Sequence, residues 1–230
     1  MHRLRLTFAA LIAALAILVA AGPAAAAKVH VALRVEGPSR TVFTGRPVPL
    51  TGVVQGHRLA QPTPLGALLT ASHNHRFGVG LTWFSCCGFF VDSIAGHAGN
   101  ATHFWAFKVG HALSSLGAGS VKATPGMHAL FYWTTFDPNT GATEPTLGLR
   151  ATSANLEPGA TATFTVVSYD DAGTGTPAAH AWVSVNGAAT QAGSLGRVTV
   201  RFTRTGTFGV RATLPGAIRS PTVWVHVGSS

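Results

Sequence analysis

Cys86 and Cys87 are the only cysteines in the chain, and they lie inside an aromatic stretch, LTWFSCCGFF, at 81–90. An oxidising compartment pairs thiols. Adjacent Cα atoms, however, sit about 3.8 Å apart across a trans peptide, whereas disulfides usually span about 4.4–6.8 Å. The sequence therefore leaves three arrangements open: a strained vicinal disulfide, a bridge between two chains, or free thiols. Gly88 supplies the backbone freedom that the first requires. A vicinal ring would be a rigid apolar plate beside aromatic side chains, which is what a small binding site without catalytic groups can use. Trp83, Phe84, Cys86, Cys87 and Phe89 are accordingly the candidate ligand-binding residues. The competing reading is that these aromatics fill a core and the thiols are inert.

Histidine is the over-used ionisable residue, with His30, His57, His73, His75, His97, His103, His111 and His128 all before position 138. On an extended segment, His73 and His75 would project both rings to one face, as a metal site can require. No carboxylate or cysteine stands at a recognisable ligand spacing from the pair, so neither a metal nor a cofactor is assigned. Catalytic patterns are equally sparse. Glu36, Asp92 and Asp137 are far apart in sequence, and G-x-S-x-G, H-E-x-x-H and phosphate-loop motifs are absent. The expectation is a protein that is not an enzyme.

Residues 1–27 read as a secretory signal peptide. Arg3 and Arg5 precede an apolar run at 8–21, then Gly22-Pro23 and an alanine tract offering cleavage at 24–26 or 25–27. The run is shorter than the ~18 residues of a membrane span. It carries neither an Arg-Arg pair nor a cysteine to take a lipid. The expected product is secreted, extracellular or at the cell envelope, without a stable membrane anchor. Losing Arg3 and Arg5 lowers the formal charge from +9 to +7. The bases form no nucleic-acid motif, so anionic envelope polymers or surfaces are the expected electrostatic partners and nucleic acid is not; the competing reading of such scattered bases is that the charge serves solubility alone. Oligomeric state is not legible.

These residues must be positioned by short elements, because charged residues are only 10% of the chain while Gly numbers 27 and Pro 13. KVHVALRV at 28–35 alternates as a strand, and 40–54 returns as a second one interrupted by Gly45, Pro47 and Pro49. Thr63 can cap a helix that has Pro64 in its first turn and Leu65, Leu68 and Leu69 on one face. After the helix come 73–80, a glycine-broken loop or short strand, and 81–88, followed by strands predicted at 89–96, ending in a turn at Ala95-Gly96, at 104–109 and at 129–136. A hairpin, a helix and further strands in this order match the β-grasp arrangement, an α+β fold, over 28–137. PNTGATEPT at 138–146 reads as a linker. Beyond it, over 147–230, apolar alternation recurs at 160–167, 181–185, 198–202, 208–212 and 223–227, with Asn186-Gly187 as a tight hairpin. This predicts a β-sandwich. Val198 and Val200 facing inward would turn Arg197 and Arg201 outward, with Arg211 beside them on a neighbouring strand.

Several short motifs carry a family resemblance: TPLGAL at 63–68, FVDSIAG at 90–96, FWAFKVG at 104–110, GAGS at 117–120, and Pro125-Gly126 ahead of LFYW at 130–133. Together they resemble the transcobalamin C-terminal-like family, a β-grasp domain of unknown function in bacteria. Gly110-His111 stands where that family commonly has Asn-Gly, and Gly126-Met127 where it commonly has Gly-Asp. Both lie in turns, so the resemblance bears on fold more than on ligand contacts. Its animal relatives contribute to cobalamin binding with the help of a helical domain that has no counterpart here, and cobalamin is not carried over. GSLGRVTVRFTRTGTFGVRA at 193–212 resembles a bacterial immunoglobulin-like module. Phe208 replaces the tyrosine such modules often carry, which removes a tyrosine-corner hydrogen bond. The resulting expectation is a secreted, non-catalytic binding protein whose β-grasp domain recognises a small molecule or glycan. The alternative is a structural or adhesion protein of the envelope that uses both domains as interaction modules.

Overall fold

The computed structural model describes residues 28–228; the predicted signal segment lies outside them. Among the described residues the protein is mostly β, with one helix and five sheets.

β1 (Ala32–Glu36) and β2 (Thr41–Gly45) form the expected irregular hairpin, whose register shifts between Val35 and Glu36. A small hairpin, β3 (Gly52–Val54) and β4 (His57–Leu59), leads into α1 (Pro64–His75). The helix starts where the sequence places it, because the Thr63 hydroxyl accepts the Gly66 N–H at 3.0 Å and Pro64 needs no N–H partner in the first turn. Leu65, Ala67, Leu68 and Ala71 are buried along its inner face. The helix runs on to His75 and ends at Arg76 in the left-handed region, φ 56°. His73 and His75 therefore sit two residues apart in its last turn, about 200° around the axis, and do not share a face. His75 instead packs its ring on Phe43 at 4.8 Å.

β5 (Val79–Phe84), β6 (Gly88–Ile94) and β7 (His97–Ala98) make a separate antiparallel sheet. β8 (His103–Val109), β9 (Ala112–Leu113) and β10 (His128–Thr135) complete a five-stranded sheet of order β2-β1-β10-β8-β9. Its centre is the parallel pair β1 and β10, in register from Ala32 opposite His128 to Glu36 opposite Tyr132. Alternation gives this sheet two occupied faces. Leu33, Val35, Trp105, Phe107 and Phe131 join α1 in one core, whereas Ala106, Leu130 and Tyr132 pack in a second cluster with Ile218.

The remaining strands are β11 (Thr146–Ala151), β12 (Asn155–Leu156), β13 (Thr161–Tyr169), β14 (Gly175–Pro177), β15 (Trp182–Val185), β16 (Ala188–Gln191), β17 (Arg197–Arg201), β18 (Gly206–Thr213) and β19 (Val223–Val227). They form two sheets, one in which β13 pairs β11, β14 and β17, the other of order β12-β19-β18-β15-β16. Phe164, Val166, Val183, Val198, Val210 and Val225 fill the core they share. Asn186 and Gly187, both at positive φ, close the β15–β16 hairpin as predicted. Arg197 and Arg201 are exposed on β17, but Arg211 is on β18 in the other sheet, so the expected three-arginine face is not formed.

Residues 138–146 are folded back on the body of the protein. Asp137 accepts the Asn139 and Thr140 N–H groups, Phe136 bridges to Thr143, and Thr143 is buried. Ionic contacts close the same junction. Glu36, fully buried, is paired with Arg219 at 3.3 Å and Arg34 at 3.5 Å, and accepts the Thr41 hydroxyl at 3.0 Å. Lys108, also fully buried, donates to the Asp170 carbonyl at 2.8 Å and pairs with Asp171 at 3.5 Å. Burial raises the Glu36 carboxyl and lowers the Lys108 ammonium, and each is opposed by its partners, Arg34 for the former and Asp171 for the latter.

Candidate functional site

The five residues singled out by the sequence lie on the β5–β6 hairpin. Phe84 pairs with Gly88, so Ser85, Cys86 and Cys87 form a three-residue loop, closed by the Cys87 N–H donating to the Phe84 carbonyl at 3.2 Å. Gly88 has φ 82°, the left-handed conformation that such loops require and that favours glycine. Cys86 and Cys87 are joined to each other in a vicinal disulfide. Of the three arrangements open in the sequence, the local one is present.

The hairpin divides its aromatics. Phe89 is in the core at 6% exposure, so it supports the site rather than presenting a surface. Trp83 lies against it edge-on at 4.8 Å and stacks face to face on His57 of β4, 3.8 Å between centroids. That sandwich fixes the indole plane while leaving 39% of Trp83 accessible. Phe84, 49% exposed, and both cysteines stand at the tip. The disulfide and these two rings, which project to opposite faces of the strand, leave exposed apolar surface at the tip of the hairpin.

A concave site lies alongside it. A cavity of about 870 Å³ is lined by Phe90, Phe104, Trp105, Leu116 and Phe136, with Phe89 behind them and no charged side chain in its wall. It exists because β9 covers only Lys108 and Val109 of β8, and the Ser114 N–H reaches the Phe107 carbonyl, leaving the rest of that strand edge to be flanked by 113–118. Phe104 and Phe136 stack at 4.2 Å and form one rim, while Leu116, 58% exposed, hangs over the opening. Asn100, Thr102 and Ser114 are among its neutral polar groups.

Sequence reading found the hairpin and missed this cavity. Phe104 and Phe136 read as members of core strands, and their side chains stand on the alternate face from Trp105 and Trp133. The available signal was that β8, HFWAFKV, is apolar on both parities up to Lys108. A strand of that kind must be covered on both faces. Nothing in the spacing placed Leu116 over it.

Among the described residues no group of three or more His, Cys, Asp or Glu that could hold a metal ion occurs. No described helix is long and apolar enough to cross a membrane.

No family model matches the chain, and no curated protein does. Among solved structures the chain is similar to the D0-D1 domain of Intimin at 12% identity and a TM-score of 0.26, over 60% of this chain and 88% of that one.

Proposed function

We propose that this chain is an exported, non-catalytic interaction protein of the bacterial envelope, in which two β-rich modules, 28–137 and 147–230 joined through 138–146, act as one body. The observation that carries this reading is the junction itself. Glu36 is held between Arg34 and Arg219, and Lys108 is seated on Asp170 and Asp171. Charges buried and paired across two modules fix their relative placement, which a simple tether would not need.

In this reading the first module is a β-grasp domain of the transcobalamin C-terminal-like kind. The β1–β2 hairpin, the parallel central pair β1 and β10, and α1 packed on one face support it. The second module is an immunoglobulin-like sandwich, in keeping with its two sheets around one core.

The uncharged aromatic cavity favours a second reading, in which the first module holds a small apolar molecule or a sugar ring between Phe90, Phe104 and Phe136. Both readings meet one test. Protein purified from its own host is examined by native mass spectrometry, and the same protein is titrated onto isolated envelope material. Saturable retention without a co-purifying molecule supports the first reading, a stoichiometric small ligand supports the second, and failure of both overturns both.

A further inference from the structure

A second cavity, of about 900 Å³, opens between the two modules. Its chemistry is the opposite of the aromatic one. Arg34, Arg46 and His128 come from the first module, Arg150 and Arg197 from the second, and no acidic residue is in its lining.

The register explains why these cations converge. Arg150 on β11 stands opposite Thr165 on β13, and Thr165 stands opposite Arg197 on β17. Residues directly opposite one another project to the same side of a sheet. Their neighbours Phe164, Val166 and Val198 are buried in the sandwich core, so the row Arg150, Thr165, Arg197 faces outward into the cleft. With strands about 4.8 Å apart, the two arginine Cα atoms are about 10 Å apart, with a hydroxyl between them. On the facing wall Arg34 pairs in register with Thr44, and Arg46 follows at the end of β2. Glu36, fully buried, is shared by Arg34 and Arg219 and offsets part of their charge. Arg46, Arg150 and Arg197 supply the rest of the positive lining. His111 is stacked on Tyr169 at 3.6 Å in the cleft wall, and burial first, then the charges of Lys108, Arg34 and His128, hold its imidazolium below the ordinary range.

We propose that this inter-module cleft binds an oxyanion-bearing segment of an anionic polymer, with Arg150 and Arg197 gripping a phosphate or carboxylate group across Thr165. Guanidinium forks match both groups bidentately. The volume exceeds that of a lone ion and accommodates several residues of a chain. A nucleic acid fits less well, because the cleft's one aromatic side chain apart from histidine, Tyr169, has a face occupied by His111 and offers no stacking platform. This proposal rests on the reading of the two modules as one body, since either wall alone presents only part of the cation set.

The test titrates the full chain by calorimetry with a glycerol-phosphate oligomer, a polygalacturonate oligomer and single-stranded DNA of matched charge. Arg150→Gln/Arg197→Gln is compared with Arg58→Gln/Arg204→Gln, which removes two exposed arginines outside the cleft. All four positions are exposed, so folding is expected to survive and is checked by thermal unfolding. The expected result is that at least one of the first two oligomers binds more tightly than DNA. The cleft variant should then lose about tenfold or more in affinity and the control about twofold or less. Binding of the glycerol-phosphate arm alone identifies a phosphodiester, of the polygalacturonate arm alone a carboxylate, and of both the shared oxyanion chemistry. No binding, equal losses in the two variants, or DNA binding as tight as either polymer overturns the proposal. Envelope retention that persists unchanged in the cleft variant overturns the cleft while leaving the interaction-protein reading intact.

Discussion

Tyr132 is fully buried at the junction, and its hydroxyl lies 2.8 Å from that of Thr143. Because the Thr143 hydroxyl donates to Asp171, Tyr132 is the donor in this pair. Burial holds the phenol well above its ordinary value near 10. The fold thus favours the neutral phenol, so this contribution is complete below about pH 10 and is lost as pH rises, because the unfolded chain ionises first. Lys108 acts in the opposite sense: its lowered ammonium contributes fully above the ordinary lysine value and less as pH falls. A comparison of wild type with Tyr132→Phe separates the two. Wild type should lose urea resistance more steeply between about pH 9 and pH 11, and parallel curves would contradict the assignment. At neutral pH the variant should cost about 0.5–1.5 kcal/mol for the lost hydrogen bond. At the hairpin tip, Cys86→Ser/Cys87→Ser should leave the domain folded while weakening binding of whatever ligand the exposed apolar surface holds. A disulfide-linked dimer on non-reducing analysis would show that the pairing is not local, and global unfolding of the double variant would return the segment to a core role.

At the level of elements, α1 illustrates how close backbone approach is encoded. The Leu50 N–H donates to the Gly66 carbonyl at 3.0 Å, and a Cβ on Gly66 would collide with the Leu50 carbonyl oxygen. Gly66→Ala raises helix propensity by about 1 kcal/mol, yet overpacking against a backbone group costs about 1–3 kcal/mol. The variant should therefore be destabilised, read as a lower denaturant midpoint at unchanged slope; a gain in stability would mean that 49–50 moves aside freely. The helix start was legible from Thr63 and Pro64, and the strands from alternation, because caps and period-two patterns are local. The His73 and His75 geometry was misread because the apolar stripe of α1 ends at Ala71, while the helix continues one further turn through polar residues. Arg211 was misplaced because strand pairing is non-local. Alternation tells which residues share a face of one strand, not which sheet the strand joins. The aromatic hairpin was visible as composition, whereas the cavity depends on the edge of β8 being left open.

Across the whole molecule, the junction couples two cores through charges that have left water. Lys108 is fully buried and Asp171 only partly so, so the two ends of the pair are not equivalent. Removing the carboxylate with Asp171→Ala leaves a buried ammonium facing the Asp170 and Tyr169 carbonyls and the Tyr132 ring, 5.7 Å from its centroid, and it also frees the Thr143 N–H and hydroxyl. That class of change costs about 3–5 kcal/mol. Lys108→Met keeps most of the buried stem, leaves Asp171 bonded to Thr143, and gives up chiefly one hydrogen bond to a carbonyl, about 1.5–3 kcal/mol for a charged donor, offset by the desolvation no longer required. Asp171→Ala should therefore be the more damaging single change, and Lys108→Met/Asp171→Ala should be more stable than Asp171→Ala alone. The sign of this coupling is the informative quantity, since two independent losses would simply add. Calorimetry provides the second readout: the wild-type chain should unfold in one transition, whereas Asp171→Ala, with the junction weakened, should resolve into two. A single transition in every variant, with strictly additive losses, would mean that Lys108 and Asp171 are neighbours without being coupled, and that Glu36 with Arg34 and Arg219 holds the modules together unaided.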